Sequence, residues 1–389
     1  MADTEHALTQ RVGPVKLLIL QGTPFCNIDC AYCYLPHRNQ RGRMSVETVN
    51  AVIDNLLSSD MLRGPLLVNW HAGEPLVLPA SYYAERMPLF DRVVAAGIPV
   101  THSLQTNAML VSEEHCDLFL RYDVKVGVSI DGPAHIHDRK RQTRNGQGTH
   151  AAAMAGIARM QNRGVSFNAI CVLSDLSVRH PDEIYSFFKD LGVRAVGFNI
   201  EEIEGVNKTS SITTDGFDDR FLGFLERVWQ RAEADHHVMR IREFDDAEGR
   251  LLDKHPRRNS QTEPFINLSV AYDGDFSTFC PELLGNSSET HADFVFGNVH
   301  TTPLRDTLRH PNFVAIKSEI DAGVEACRDT CAYFAVCAGG NPSNKLAENG
   351  AFDSTETLNC HNRVKLTADF MMDKLEARAD SKRRAAAVE

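Results

Sequence analysis

Three cysteines open the chemistry of this chain. Cys26, Cys30 and Cys33, in "CNIDCAYCY", lie with three and two residues between them, directly behind the apolar run "VKLLILQ". Thiolates so spaced can reach one metal centre from a single loop. A structural zinc site is closed by four ligands, as two close pairs, and the nearest extra ligand here, His37, would have to fold back. A cube of four irons and four sulfurs takes one thiolate per iron, so three thiolates leave one iron open to a ligand from outside the protein. A second group lies near the other end, where "CRDTCAYFAVC" supplies Cys327, Cys331 and Cys337 and Cys360 follows at a distance. Four thiolates close a cluster completely, which suits electron relay or holding the fold. Zinc also suits four cysteines. Cys116 and Cys171 stand apart in apolar settings and read as inert core residues.

The elements that must position these groups follow from the hydrophobic pattern. In the first half, short apolar runs alternate with helical stretches. "VKLLILQ" precedes "MSVETVNAVIDNLLSS", where Ser45 can cap a helix with Val46, Val49, Ile53 and Leu56 on one face. Further strands are expected in "PLLVNWHAGEP", "PVTHSLQTN", "VKVGVSIDGP", "VSFNAICVLS" and "RAVGFNIEE". Helices are expected over 81–96, 113–121, 150–163 and 181–191. Six strands alternating with helices imply parallel strands joined by right-handed crossovers, in a barrel or an open sheet. Polar clusters close five of the six strands: Cys26 to Cys33, His71 to Pro75, Gln105 to Asn107, Ser129 to Pro133 and Asn199 to Glu204. The carboxyl ends of parallel strands form the active face of such folds, so these clusters outline one site. Among Glu201, Glu202 and Glu204, strand alternation lets only some face inward.

Length and composition agree with a soluble globular protein of more than one unit. The chain has 389 residues, 43% hydrophobic and 24% charged, which is ordinary for a globular protein. A formal net charge of −11 argues against nucleic acid or an anionic membrane as the main partner. No signal sequence or membrane span is apparent, so a cytoplasmic location is expected. Ten cysteines in a reducing compartment point to metal or redox chemistry rather than disulfides. The expected organisation is a lead-in over 1–14, a strand–helix unit over 15–205, a charged helical bridge over 206–263, a cysteine-rich unit over 264–375 and a disordered tail over 376–389. The third unit opens with "FINLSVAYDGDFSTFC", which reads as a hairpin turning at Asp273-Gly274.

The C-x3-C-x2-C spacing, with Tyr32 before the third cysteine, resembles the signature of radical S-adenosylmethionine (SAM) enzymes. The resemblance implies a partial (β/α)6 TIM-like barrel in which the open iron of a [4Fe-4S] cluster grips the methionine part of SAM. An electron then cleaves SAM, and the 5′-deoxyadenosyl radical takes hydrogen from an unactivated carbon, chemistry that the cofactor carries and the protein aims. "HAGEP" resembles the family's G-G-E-P, whose backbone and glutamate receive the methionine amino group. Gly73 and Glu74 match, and Ala72 replaces the first glycine, which calls for an ordinary backbone angle there. "SIDGPAHIHDRKRQTRNGQGT" resembles a stretch whose serine and arginine hold the ribose and carboxylate, here Ser129 and Arg141. Tyr32 and Asn107 complete the implied cofactor shell. Gln105 would lie beside the radical's path, and Gln105, Asp131, Glu201 and Glu202 are the candidates for catalysis.

The C-terminal cysteines resemble the SPASM extension of peptide-modifying radical SAM enzymes. Cys280 and Gly297-Asn298 match the start of that domain, but Thr302 and Asn341 stand where the family has cysteines. One auxiliary [4Fe-4S] cluster is therefore implied, on Cys327, Cys331, Cys337 and Cys360, and Cys280 is left buried or near the substrate. "WHAGEPL", "GFNIEEIEG" and "CAYFAVCAGGNPSNKLAENGAFDSTETLNC" resemble maturases that join an aliphatic β-carbon to an aromatic ring two residues away in a ribosomally made precursor peptide, forming a three-residue cyclophane. Such an enzyme draws electrons from a donor such as flavodoxin or ferredoxin. The alternatives are anaerobic sulfatase maturation, which forms formylglycine and places a carboxylate base where Pro303 stands, thioether formation or epimerisation, and a non-enzymatic iron-sulfur electron carrier.

Overall fold

A computed structural model describes residues 12–255 and 258–386. Six parallel strands, β1 (Leu17–Leu20), β2 (Leu66–Trp70), β3 (Val100–Thr106), β4 (Lys125–Ser129), β5 (Phe167–Leu173) and β6 (Ala195–Ile200), lie side by side in chain order. Each pairs in parallel with the next. A doubly wound sheet would reverse its order midway. This monotonic order is that of a singly wound partial barrel, the architecture implied above. Leu18, Leu20, Val68, Trp70, Val126, Val128, Ala169, Cys171, Val196 and Phe198 are buried, and Cys116 is buried too. Strands covered on both faces need such apolar runs.

The connecting helices form where capping and periodicity place them. In α1 (Val46–Ser58) the Ser45 hydroxyl accepts the Thr48 N–H at 3.0 Å, and Val49, Val52, Ile53 and Leu56 are buried. The helix expected over 81–96 is broken into α2 (Ala80–Arg86), a 3-10 turn (Met87–Phe90) and α3 (Asp91–Ala95). Pro88 lacks the N–H that would continue the first helix, and its ring crowds the preceding turn. The remaining crossovers are α4 (Glu113–Arg121), a short α5 (Ala134–His137), α6 (His150–Asn162) and α7 (Pro181–Asp190).

The sheet does not stop at the expected unit boundaries. The bridge contributes α8 (Phe217–Ala234), α9 (Arg242–Leu252) and a two-residue strand, β7 (Arg240–Ile241), parallel to β6. On the opposite edge β8 (Asn267–Val270) pairs in parallel with β1, and β9 (Asp275–Thr278) returns antiparallel through the turn at Asp273-Gly274. Gly274 takes φ +96° there, which a turn of this kind asks of glycine. A small ribbon, β10 (Ser287–Ser288) with β11 (Ala292–Asp293), stands apart, and β12 (Gly297–Asn298) closes the ten-stranded sheet against β9.

The cysteine-rich segment folds into α10 (Pro311–Thr330), α11 (Phe334–Cys337) and α12 (Pro342–Asn349), then a π-helical turn (Cys360–Leu366) that runs into α13 (Thr367–Ala386). The segment 376–386, expected to be disordered, continues α13. Its Ala, Arg, Lys and Glu residues are strong helix formers, and Arg378 lies over the Trp229 ring at 4.5 Å. Trp229 also packs edge-on against Phe244 at 5.3 Å and Phe370 at 6.2 Å, joining α8, α9 and α13. Residues 1–11 and 387–389, the greater part of the lead-in and the end of the tail, lie outside the described residues. Among the described residues no helix is long and apolar enough to cross a membrane.

Candidate active site

The three-cysteine loop leaves β1 and is tied to the segment after α5. Asp29 N–H donates to the Gln142 carbonyl at 2.7 Å and Ala31 N–H to the Lys140 carbonyl at 2.8 Å. Arg144 reaches the Cys26 carbonyl at 3.0 Å. Burial, with Glu74 nearby, pushes the Cys26 thiol up to about 12. Burial pushes Cys30 equally far, although Arg141 opposes it. These thiols hold their protons until a metal displaces them. A tetrahedral zinc with bonds of about 2.3 Å would draw its sulfurs to about 3.8 Å of one another. Among the described residues, the one group of three Cys, His or carboxylate ligand atoms lying within 4.8 Å of each other is His135, His180 and Glu183. Neither cysteine group is so tightly gathered, which leaves room for a cluster with each sulfur on its own iron.

Arg141 is built into the floor beside the thiols. Its Nε donates to Asp131 Oδ2 at 3.0 Å, and its Nη1 lies 3.8 Å from Cys30 Sγ. The Tyr32 hydroxyl donates to the same Asp131 oxygen at 2.5 Å, while Val172 N–H occupies Oδ1 at 3.0 Å. Asp131 therefore orients Tyr32 and Arg141 and lines no part of the cavity above them. Glu201 is likewise engaged elsewhere: it is buried, pairs with Lys140 at 2.7 Å and accepts from Ser211. Both are positioning groups in this arrangement.

The next two strand ends meet at Glu74. Its Oε1 accepts from Leu76 N–H at 2.9 Å and the Thr106 hydroxyl at 2.6 Å, and its Oε2 accepts from Asn107 N–H at 2.8 Å. A carboxylate has about four acceptor positions, so one remains, on Oε2. Ala72 does not adopt an ordinary backbone angle as expected; its φ is +70°, followed by +83° at Gly73. The close approach of the cysteine loop imposes this conformation, since a Cβ on Gly73 would lie 2.4 Å from the Thr23 carbonyl oxygen. The Asn107 amide donates to Asn27 Oδ1 at 2.8 Å, and Gln105 Nε2 donates to Ser129 Oγ at 2.7 Å. Gln105 lies across β4 because Gly127 has no side chain: a Cβ there would come 2.0 Å from Gln105 Oε1.

These strand ends surround a cavity of about 370 Å³. Cys26, Cys30, Cys33, Tyr32, Gly73, Glu74, Asn107, Ser129 and Arg141 all line it, as do Gln105 and Glu202; Asp131, Glu201 and Ala72 do not. The cavity wall also holds Glu282 and Arg363, which periodicity gave no reason to select, together with His71, Glu204 and Asn341. Burial lowers the His71 imidazole to about 4, so it is neutral at pH 7, and its Nδ1 is buried without a partner. Burial and the charges of Glu282 and Glu202 raise the Glu204 carboxyl well above its usual range. Burial and Glu202 push Glu282 up to about 7. Cys280 is buried behind this wall, its Sγ 3.0 Å from Asn341 Oδ1. Thr302 and Pro303 line no part of the cavity.

A second pocket, of about 310 Å³, is lined by Cys337 and Cys360 with Arg258, Asn259 and Arg363. Asn259 donates to the Cys337 and Gly340 carbonyls at 3.2 and 2.6 Å. The buried Lys345 ammonium lies 3.5 Å from Cys327 Sγ. A buried cation beside one thiol fits a centre that carries net negative charge once four thiolates bind it.

Residues 20–188 match the model of the Radical SAM superfamily. An uncharacterised protein of Synechocystis sp., sll1766, is 39% identical over 94% of this chain and 93% of its own length. A cysteine-type anaerobic sulfatase-maturating enzyme of Clostridium perfringens is 24% identical over 84% of this chain and 88% of its own. Solved structures share the fold, among them the following two. Native anSMEcpe with bound AdoMet and Cp18Cys peptide has a TM-score of 0.77 at 20% identity, covering 94% of this chain and 99% of that one. Streptococcus suis SuiB bound to precursor peptide SuiA has 0.64 at 13% identity, covering 92% and 79%. With the three-thiol loop at the end of β1, the monotonic barrel and the match from β1 through α7, this chain belongs to the radical SAM superfamily, whose enzymes use SAM and a [4Fe-4S] cluster.

Proposed function

We propose that this enzyme modifies a ribosomally made precursor peptide by joining an aliphatic side-chain β-carbon to an aromatic ring, giving a cyclophane. The observation that carries the reading is one cavity lined by the three thiols and Arg141 together with Glu202 and Glu204, which follow β6, and Glu282 from the cysteine-rich unit. Relatives of this fold were solved with peptides bound, Cp18Cys and SuiA, which supports a peptide as substrate.

In this reading Cys26, Cys30 and Cys33 hold a [4Fe-4S] cluster, and Cys327, Cys331, Cys337 and Cys360 hold an auxiliary one. Gly73 and Glu74 receive the methionine amino group of SAM, and Ser129, Arg141, Asn107 and Tyr32 complete its shell. When bound, SAM and the first cluster supply a carbon-centred radical that removes one hydrogen atom from the substrate, given an electron from a donor such as flavodoxin or ferredoxin. The protein's share is placement: Gln105, held by Ser129, borders the space where the peptide side chain must sit. Glu202, held by Asn344 at 3.1 Å, faces the same space.

Formylglycine formation is the second reading, favoured by the sulfatase-maturating relatives. Against it, Pro303 stands where that chemistry places a carboxylate, and neither Thr302 nor Pro303 lines the cavity. Co-expression with a candidate precursor, a short open reading frame rich in aromatic residues sought beside the gene, tests the choice. A product lighter by two hydrogens, with fragmentation blocked between an aromatic residue and its partner two positions on, supports the cross-link. An aldehyde that reacts with a hydrazide probe would replace it with formylglycine.

A further inference from the structure

Glu204 and Glu282 stand where two hollows meet. Both line the cavity that holds the three thiols. Both also line an outer groove of about 550 Å³, whose other walls include Lys208, Ser287 and Leu346. Lys208 and Ser287 are exposed, so this groove opens to solvent. Glu204 is 5% exposed and accepts a hydrogen bond from the Ser343 hydroxyl. The Oε2 atom of Glu282 is buried and has no hydrogen-bond partner. It is a carboxyl oxygen kept from water and left without a donor.

The groups facing this pair come from several elements. Glu202 lies within hydrogen-bond reach of Glu204. Arg363, from the turn before α13, is the cation that acts on Glu282. The buried Tyr34 phenol and Cys280 thiol complete the surroundings, and burial holds both well above their ordinary values. Three carboxyls against one guanidinium cannot all ionise in a space removed from water. The set therefore retains a proton and exchanges it readily near neutrality, as an acid–base group must.

The cross-linking chemistry needs such a group, and the inference rests on that reading. Once the β-carbon radical has added to the ring, a ring C–H bond must break to restore aromaticity. The proton leaves to a base, and the remaining electron leaves to a one-electron iron-sulfur acceptor. We propose that Glu282 takes this proton on the cavity side and that Glu204 shares it, the pair releasing it to solvent through the outer groove. Asp131 and Glu201 cannot serve, because neither borders the cavity.

Infrared titration of the reconstituted holoprotein, from about pH 5 to 9, tests the pair without any peptide. A protonated-carboxyl band should fade with a midpoint about 7 in the native enzyme and be missing in E282Q. No such band, or its persistence in E282Q, would overturn the assignment. With the co-expressed precursor peptide, E282Q should still form 5′-deoxyadenosine while cross-linked product per 5′-deoxyadenosine falls at least about tenfold. E282D should restore part of that ratio. An unchanged ratio in E282Q also overturns the proposal. If the native product proves to be an aldehyde, the cross-link reading fails, and the titration alone then decides whether the proton pair exists.

Discussion

Arg141 and Asp131 form a buried ion pair at 3.0 Å, with side chains 8% and 3% exposed, directly behind Cys30. Removing the carboxylate strands a guanidinium beside the thiols and leaves the Tyr32 hydroxyl and Val172 N–H without their acceptor. Breaking one side of such a pair typically costs about 3–5 kcal/mol. Asp131→Ala should therefore lower unfolding stability by about that amount in anaerobic denaturant titration. Asp131→Asn, which keeps an acceptor oxygen, should lose less.

The two cysteine groups should separate by function and by iron content. Two four-iron clusters amount to about eight iron atoms per chain, and losing either set halves that. The triple variant of Cys26, Cys30 and Cys33 to Ala should form no 5′-deoxyadenosine. Replacing Cys327, Cys331 and Cys360 should leave SAM cleavage measurable while abolishing peptide product. Equal loss of SAM cleavage in both would contradict this division of labour.

Ala72 holds φ +70°, a conformation that disfavours any Cβ by roughly 1–2 kcal/mol. Ala72→Gly should raise stability or leave it unchanged, since glycine's greater unfolded freedom offsets about 0.5–1 kcal/mol of the relief. Gly73→Ala should be severely damaging, because its Cβ would meet the Thr23 and Phe25 carbonyls at 2.4 and 2.9 Å. Thermal melts of the two variants should move in opposite directions or leave the first unmoved.

Gln105 depends on the bare backbone of Gly127. Gly127→Ala would push the amide off β4 and away from Ser129, although the flexible side chain can yield without unfolding the sheet. Product formation should fall to the level of Gln105→Ala while the melting temperature changes little. A fully active Gly127→Ala enzyme would remove Gln105 from the list of groups that place the substrate.

The raised Glu282 carboxyl ties stability to pH. Its folded value, about 7, lies above the ordinary 4.5. Below the ordinary value both states are protonated and stability is complete. As pH rises, the unfolded chain ionises first, so stability is lost until the folded carboxyl also ionises near neutrality. Glu282→Gln lacks this loss. It should be more stable than the native protein at pH 8 by about 1–3 kcal/mol and equal to it near pH 4. Parallel denaturation curves at the two values check the sign.

The cysteine loop, the alternation of six strands with helices and the hairpin at Asp273-Gly274 were legible because spacing and periodicity are local properties; the barrel order of those strands was implied by the family resemblance alone. The placement of Gln105, Asn107 and Ser129 at strand ends that share one rim was legible too. What was not legible came from contacts between distant segments. Ala72 read as an ordinary alanine until the Thr23–Phe25 backbone pressed on its neighbour. Asp131 and Glu201 carried the residue type of a base, but Arg141, Tyr32 and Lys140 had already claimed them. Glu282 follows Cys280 by two residues and has no pattern of its own; only the fold of the third unit brings it to the cavity that the thiols line. The break at Pro88 could have been read, since proline marks it in the sequence.

The parallel pairing of β8 with β1 fixes how the molecule can be divided. A fragment ending before Pro264 would expose the whole rung of β1, the strand that carries the cysteine loop, as an open apolar border ready to template aggregation. The barrel and its C-terminal companion are thus one mechanical frame. Domain-exchange engineering across this boundary must supply a replacement for β8, or the iron-binding loop loses the rail on which it is mounted.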